Sequence, residues 1–344
     1  MKKSFNFFML FAVIATLSIY VSGCKTDDDP EPAGDKTALN ALITECETLH
    51  DDAVEGTSVG FYEVGSKATF QTAIEAAKTV SNTEGATQSV IDAAKANLDA
   101  SKTTFEGKYI QNVSTDGLVA QWLFEGDATD FTGNGNDGTP TAGDSYFGGG
   151  TPSLTTDRFG NADNAYFFNE GAFIKVPYTL ALNPANISIS MWVNATEIRE
   201  NNRFMGLHSW LGFKYQLQSA NKSFFTASTD DGISDKDTDP PLDIETWYHL
   251  TVTYESGSMT FYVDGVETQK YTDVTGNLVK VEDHDLAIGC GSSKYAPDDS
   301  QYDIDHIIPA PWGGYFHGKL DDIRFYNRVL TGQEVSSIYN LEKP

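Results

Sequence analysis

The chain has 344 residues, of which 23 are Lys or Arg and 49 are Asp or Glu, so its formal net charge is −26. A charge of this sign repels phosphate backbones and anionic lipid headgroups, which argues against nucleic acid as a partner. Hydrophobic residues make up 40% of the chain and aromatic residues 12%, which is enough for a packed core in about two domains.

Residues 1–23 predict a secretory leader. A lysine pair precedes an apolar run from Phe5 to Val21, and such a segment is removed rather than folded. The run is nearly long enough to span a bilayer, so a retained membrane anchor is the alternative. Its ending Val-Ser-Gly-Cys resembles a bacterial lipobox, which favours cleavage before Cys24 and lipidation of that cysteine.

Residues 24–36 predict an extended acidic tether, because acidic residues, Pro and Gly dominate them. The three aspartates at 27–29 resemble the acidic export sequence of Bacteroidetes surface lipoproteins, and an ordinary solvated charge run is the alternative. With the lipobox, this resemblance implies a protein of the outer membrane that faces the cell exterior and is held by the lipid on Cys24.

Residues 37–110 show the 3.6-residue periodicity of three amphipathic helices. Leu42, Ile74 and Leu98 lie on the three apolar stripes, and Ser66 is expected to cap the second helix. The segments TFQTAIEAAKTV and ATQSVIDAAKANLDA resemble FIVAR modules, which are small three-helix bundles of bacterial surface proteins. The expected role is a spacer between membrane and head domain, and a surface that docks a partner or contacts glycan is the alternative.

From residue 115 to residue 344 the pattern changes to short apolar runs bounded by turn residues, which predicts a mainly β fold. ISISMWV alternates strictly, with its isoleucines on one face and Trp192 on the other. The dipeptide Asp-Gly at 264–265 predicts a two-residue type I′ hairpin. The sequence TGQE, which starts at Thr331, predicts a capping box that opens a short helix.

Four segments resemble, in order, the motifs of LamG-like, concanavalin A-like jelly-roll domains: LVAQWLFEGDATDFTGNGNDGT, NISISMWVNA, TWYHLTVTYESGSMTFYVDGVE and GKLDDIRFYNRVLTGQEVSSIYNL. The resemblance implies a jelly-roll β-sandwich that follows the small three-helix bundle. It implies less about function, because members of that superfamily include lectins, carbohydrate-binding appendages of glycosidases and adhesion modules.

The loop TDFTGNGNDGT offers the oxygen ligands that calcium prefers, although a plain turn is the alternative. Asp130 and Asn134 supply side-chain oxygens, and Gly133 lets the backbone curl so that its carbonyl points inward. In LamG-like domains such a loop often lies beside an Asp of the last strand, and the matching residue here is Asp322. The resemblance therefore implies a structural calcium held by these four residues, with Asp321 alternating to the opposite face.

No catalytic carboxylate pair is recognised. Retaining glycosidases of broadly this fold carry Glu-x-Asp-x-x-Glu on one strand face. The nearest segment starts at Glu125, ends in Asp and contains a glycine that opens a turn-rich loop. No P-loop or H-E-x-x-H motif occurs. The sequence therefore favours a binding protein over an enzyme.

Two loops combine aromatic rings with polar groups, the mixture that sugar recognition needs. They are RENNRFMGLHSWLGFKYQ and SSKYAPDDSQYDIDHIIPAPWGGYF, and the aspartates of the second are also compatible with a second calcium. The alternative is that these rings only cover the edge of the sandwich. The candidate ligand-binding residues are Trp210, Trp312, Tyr215, Arg203, His208, Tyr302 and Asp305.

The sequence as a whole predicts a surface lipoprotein that captures a polysaccharide or oligosaccharide, with an outer-membrane glycan uptake complex as a further partner. The lipobox, the acidic tether, the helical spacer and the lectin-like head agree with this interpretation. A glycoside hydrolase or its accessory module and a protein-binding adhesion or scaffold module are the alternatives.

Overall fold

The computed structural model describes residues 32–143, 145–208, 211–281, 284–291 and 314–344. The predicted leader, the lipidation site Cys24 and most of the tether lie outside these residues. No helix in the described part of the chain is long and apolar enough to cross a membrane.

Three helices come first, each with one apolar face buried: α1 Thr37–Asp52, α2 Ser66–Asn82 and α3 Gln88–Glu106. Leu42, Ile74 and Leu98 lie in their shared core, as the periodicity predicts. The prediction that Ser66 caps α2 was wrong. The capping position is Gly65, and the Ser66 hydroxyl instead donates to the carbonyl of Glu63 at 2.6 Å, which closes the preceding turn.

Fifteen strands follow within the described residues: β1 Leu118–Trp122, β2 Thr139–Thr141, β3 Ser153–Thr155, β4 Ala165–Phe168, β5 Phe173–Val176, β6 Ile187–Ala195, β7 Asn202–Leu207, β8 Phe213–Gln218, β9 Lys222–Thr229, β10 Gly232–Asp237, β11 Tyr248–Glu255, β12 Ser258–Val263, β13 Val266–Tyr271, β14 Leu286–Ile288 and β15 Gly318–Tyr326. A fourth helix, α4 Gly332–Glu342, ends the chain.

The strands form two antiparallel sheets that pack face to face. The eight-stranded sheet has the order β13-β12-β11-β6-β15-β4-β3, and β1 also pairs with β15. The seven-stranded sheet has the order β10-β9-β8-β7-β14-β5-β2. The inward side chains of both sheets form one apolar core. The predicted jelly-roll sandwich, preceded by a three-helix bundle, is confirmed.

Two local predictions are also confirmed. Asp264 and Gly265 have φ angles of 50° and 76° and join β12 to β13, as a type I′ turn requires. At the start of α4 the Thr331 hydroxyl accepts from the backbone N–H of Glu334 at 3.2 Å. The Glu334 carboxylate accepts in return from the backbone N–H of Thr331 at 2.8 Å, which completes the capping box.

Helix α4 covers part of the outer face of the eight-stranded sheet. Trp192 points outward from β6, as the alternation predicts, but its ring stacks on Tyr339 with 5.9 Å between centroids. Its Nε1 also donates to Glu342 Oε2 at 3.0 Å. Trp192 is therefore only 2% exposed, and every residue of β6 is buried.

The same helix contacts the three-helix bundle. The side-chain amide of Gln333 donates to the carbonyl of Tyr109 at 3.1 Å. The backbone N–H of Gln111 donates to the Ser337 hydroxyl at 3.0 Å. Helix α4 thus bridges the sandwich and the segment that leaves α3.

Candidate functional site

A row of polar side chains lies on the outer face of the seven-stranded sheet. Tyr215 of β8 points into the core, so its neighbours Lys214 and Gln216 lie on the outside. The register places Lys214 opposite Thr226 of β9, and Thr226 opposite Asp235 of β10. We call this set the outer polar face, which comprises Arg203, Lys214, Gln216, Thr226 and Asp235.

Hydrogen bonds hold these side chains in place. Arg203 Nε donates to Gln216 Oε1 at 3.1 Å, and Gln216 Nε2 donates to Gln218 Oε1 at 2.5 Å. The Thr226 hydroxyl donates to a carboxylate oxygen of Asp235. Arg203, Lys214, Gln216 and Thr226 are each at most 3% exposed, and Asp235 is exposed. The set places donors and acceptors on neighbouring strands, whose backbones are fixed by the sheet.

Two cations of this face are buried. Burial lowers the pKa of the Arg203 guanidinium to about 10. Burial, together with the charge of Arg203, lowers the pKa of Lys214 to about 8, and Asp235 opposes that shift. Both groups stay mainly protonated at pH 7, so each brings a cationic hydrogen-bond donor to the face.

The structure places only some of the predicted ligand-binding residues on this face. Arg203 belongs to it, and its side chain is fully buried there. His208 lies just after β7 and is nearly buried, with its ring 4.9 Å from the ring of His284. The remaining four surface candidates lie outside the described residues: Trp210, Tyr302, Asp305 and Trp312.

The prediction that Tyr215 contacts a ligand requires a correction. Its side chain is fully buried, its ring packs edge-on against Phe204, and its hydroxyl accepts from Ser223 at 3.2 Å. The period-2 alternation in FKYQLQ shows why, because it puts the tyrosine opposite to Lys214 and Gln216. Reading that alternation in the sequence would have identified these two outward residues, which an emphasis on aromatic rings missed.

One buried carboxylate organises the predicted calcium loop. Asp130 Oδ1 accepts from the backbone N–H of Gln121 at 3.0 Å and from the backbone N–H and hydroxyl of Thr132 at 3.0 and 2.7 Å. Asp130 Oδ2 accepts from the backbone N–H and side-chain amide of Asn136 at 3.1 and 3.3 Å. Burial alone would raise the pKa of Asp130, but these hydrogen bonds outweigh it and lower the pKa.

The other predicted calcium ligands are only partly gathered here. Gly133, with φ 75°, donates its N–H to the carbonyl of Asp130, and the Asn134 side-chain nitrogen donates to the carbonyl of Val119 at 2.9 Å. Asp322 is paired instead with a guanidinium nitrogen of Arg158 at 2.6 Å. No hydrogen bond or ion pair joins Asp322 to Asp130 among the described residues.

These residues, as placed, do not fit a calcium ion. Calcium needs oxygen lone pairs directed at the ion, whereas five donors already fill the roughly four lone-pair positions of the Asp130 carboxylate. Within the described ranges, no group of three or more His, Cys, Asp or Glu residues is arranged to hold a metal. Calcium binding by this loop stays a prediction that requires the loop to rearrange.

A second group of charged residues is buried between α4 and the eight-stranded sheet. Arg158 is its centre: Nη1 lies 2.5 Å from Asp321 Oδ2, Nη2 lies 2.6 Å from Asp322 Oδ2, and Nε donates to the carbonyl of Glu342 at 2.8 Å. The guanidinium also lies 4.6 Å from the ring centroid of Trp192. We call this group the buried charge cluster, which comprises Arg158, Asp321, Asp322, Arg324 and Glu342.

The prediction that Asp321 and Asp322 point to opposite faces was wrong. The pairing of β15 with β6 is irregular between Asp321 and Arg324, and Asp322 has a φ of 44°, so the simple alternation is interrupted. Both carboxylates consequently reach the same guanidinium of Arg158.

The buried charge cluster holds three carboxylates and two guanidiniums, a formal excess of one negative charge. Burial and the neighbouring charge of Asp322 raise the pKa of Asp321 to about 8, and Arg158 opposes both effects. Because the cluster lies under α4 and anchors Glu342, it is a structural feature of the sandwich rather than an open binding site.

Residues 168–336 match the family model described as the concanavalin A-like lectin/glucanases superfamily. The matched segment runs from the end of β4 into α4 and includes the whole outer polar face. The chain therefore contains a concanavalin A-like lectin/glucanase domain.

Similar proteins include enzymes and binding domains. A gellan lyase from a Bacillus species is 36% identical over 77 residues, which are 22% of this chain and only 3% of that enzyme. Domain 4 of AbnA, a GH43 extracellular arabinanase from Geobacillus stearothermophilus, was solved in complex with arabinotriose. It is 20% identical, with a TM-score of 0.47 over 64% of this chain and 98% of that chain. The binding domain of Paraclostridial Mosquitocidal Protein 1 is 16% identical, with a TM-score of 0.48 over 65% and 52% of the two chains.

Proposed function

We propose that this chain binds carbohydrate and that the outer polar face is a binding surface. The observation that supports this most is the row of donors and acceptors formed by Lys214 and Gln216 of β8, Thr226 of β9 and Asp235 of β10, which are three adjacent strands. A few fixed polar groups of this kind are what a site uses to orient sugar hydroxyls. The lectin/glucanase match covers this same face.

The carboxylates of the segment that starts at Glu125 favour a binding protein over an enzyme. The segment that starts at Glu125 follows the end of β1, so no strand holds it, and its last residue, Asp130, is buried with its carboxylate engaged by the loop. A retaining glycosidase needs two carboxyl groups about 5 Å apart on either side of the scissile bond. This segment does not offer such a pair.

We further propose that the protein is an outer-membrane lipoprotein that delivers captured glycan to an uptake complex. The support is the lipobox that ends at Cys24 and the acidic tether after it.

Replacing Cys24 with serine removes the thiol that accepts lipid. We expect the Cys24→Ser protein to move from the membrane fraction to the soluble fraction and to lose incorporation of labelled fatty acid. Unchanged fractionation and labelling would reject this anchor.

The binding surface can be tested by replacing Lys214 with methionine and Gln216 with alanine in one variant. Each lost hydrogen bond to a ligand should cost about 1 kcal/mol, and more for the charged donor. We therefore expect affinity to fall by roughly tenfold to a hundredfold. The measurement is affinity electrophoresis of the full chain in gels that contain plant, algal or host polysaccharides.

The matched control is Lys270→Met, which removes an exposed lysine from β13 of the other sheet and should leave gel retardation unchanged. Thermal melting shows whether the double variant still folds. Equal retardation of the folded double variant and the wild type would remove the outer polar face from the proposal. Free migration of the wild type through every gel would favour a protein-binding module instead.

A further inference from the structure

A groove of about 410 Å³ lies beside β1 at the edge of the eight-stranded sheet, away from the outer polar face. It is formed by β1 and by the loop that Asp130 organises. None of its residues belongs to the segment that matches the lectin/glucanase family. The groove is lined by Thr115, Leu118, Gln121, Phe131, Thr132 and Asn134.

An aromatic ring stands at this groove on a fixed backbone. Phe131 is 71% exposed, although a single exposed ring is common on protein surfaces. Its backbone, however, is held firmly: its N–H donates to the carbonyl of Gln121 at 2.7 Å, and the preceding residue is Asp130 with its five hydrogen bonds. The loop therefore fixes the backbone that carries the ring and leaves most of the ring exposed.

Two side-chain amides supply the groove with a donor and an acceptor. Assigned from its hydrogen bonds, the Gln121 side-chain oxygen accepts from Arg324 Nη2 and Nε at 2.8 and 3.3 Å, which leaves the amide nitrogen as a donor. The Asn134 side-chain nitrogen donates to the carbonyl of Val119 at 2.9 Å, which leaves the amide oxygen as an acceptor. Both residues line the groove with Phe131.

We propose that this groove is a second carbohydrate site, which takes one sugar ring of a neutral glycan. The apolar side of the sugar ring stacks on Phe131, a hydroxyl accepts from the Gln121 amide, and another donates to the Asn134 amide oxygen. None of the six lining residues is charged. Asp130 and Arg324, which bond to the lining residues Thr132 and Gln121, are buried and also bonded elsewhere within the protein. The lining is therefore suited to a neutral glycan.

A second site changes how the chain holds a polymer. Two weak sites on one rigid domain can engage the same polysaccharide chain, and the second contact then forms at a high effective concentration. The groove does not depend on the outer polar face, because the two lie on different sheets.

The test follows side-chain amide resonances of the ¹⁵N-labelled full chain, kept in solution with a detergent that contains no sugar. The probes are the neutral hexasaccharides of cellulose, xylan, mannan and arabinan, with tetragalacturonate as a charged comparison. We expect at least one neutral probe, but not tetragalacturonate, to shift the Gln121 and Asn134 resonances. Phe131→Leu should weaken that binding roughly threefold to tenfold, and Phe131→Tyr should preserve it within about twofold.

The same spectra separate this proposal from the proposed function, because the Gln216 amide reports on the outer polar face. Shifts at Gln121 and Asn134 that persist in the Lys214→Met, Gln216→Ala variant support the groove even if the outer face binds nothing. The groove proposal is overturned if no neutral probe shifts these two amides at millimolar concentration. Equal binding by the Phe131→Leu and wild-type proteins, or a preference for tetragalacturonate, also overturns it.

Discussion

Replacing Arg158 with methionine is expected to lower the free energy of unfolding by about 3–5 kcal/mol, the usual result of removing one partner from a buried ion pair. Arg158 is 4% exposed at its side chain and is shared by Asp321 and Asp322. Methionine retains part of the packing on Trp192 but leaves two neighbouring carboxylates without the guanidinium. Urea unfolding, followed by tryptophan fluorescence, measures the loss.

The effect should also depend on pH in a direction that the structure determines. Folding raises the pKa of Asp321 to about 8, compared with about 4 in the unfolded chain. The protonated carboxyl therefore stabilises the folded protein. This contribution is complete below about pH 4 and is lost as the pH rises through about 8. Arg158 opposes this shift, so the deficit of Arg158→Met should be larger at pH 8 than at pH 5. A deficit that is equal at both pH values would show that the charge of Asp321 does not contribute to the effect of Arg158.

A matched control removes a lysine from an exposed ion pair. Lys236 lies 2.8 Å from Asp273, whose side chain is 68% exposed. Lys236→Met should change the free energy of unfolding by less than about 1 kcal/mol, because exposed ion pairs contribute little. The comparison separates the effect of a buried guanidinium from that of losing one positive charge in an acidic chain.

Replacing Asp130 with alanine is expected to lower the free energy of unfolding by about 2–4 kcal/mol. The change leaves three backbone N–H groups, one hydroxyl and one amide without the acceptor that they share. Some of these donors will form hydrogen bonds to water instead, because the loop is at the surface. This limits the loss of unfolding free energy. Thermal and urea unfolding measure it, with Asp137→Ala in the same loop as a control that should cost less than about 1 kcal/mol.

Repeating these measurements with calcium and with a chelator separates the two roles of Asp130. If the carboxylate mainly binds protein donors, as the described geometry shows, the cost of Asp130→Ala is the same with and without calcium. If the sequence-based prediction of a calcium site is correct, calcium raises the melting temperature of the wild type and Asp130→Ala removes that rise.

The candidate surfaces were only partly predictable from the sequence. Arg203 was assigned to ligand binding and lies on the outer polar face, but Tyr215 was assigned with it and lies in the core. An aromatic ring serves a core and a sugar site equally well, so its residue type does not decide between them. Lys214 and Gln216 were missed although strand alternation points to them, and the groove at Phe131 was missed because its residues come from two separate segments.

The sequence by itself determined the features that depend on near neighbours in the chain. The alternation in ISISMWV separates the core side of β6 from the side that carries Trp192. Asp264 and Gly265 form the predicted hairpin turn. Thr331 begins α4 through its capping box. Each of these depends on backbone geometry within a few residues, which the residue types express directly.

Only the tertiary structure decided which surfaces stay open. Trp192 points outward and is nevertheless buried, because α4 returns from the end of the chain to cover it. Asp321 and Asp322 share Arg158 because β15 is irregular at that point, and Asp130 receives donors from β1 as well as from its own loop. Burial and charge pairing depend on residues far apart in the chain, so no local pattern carries that information.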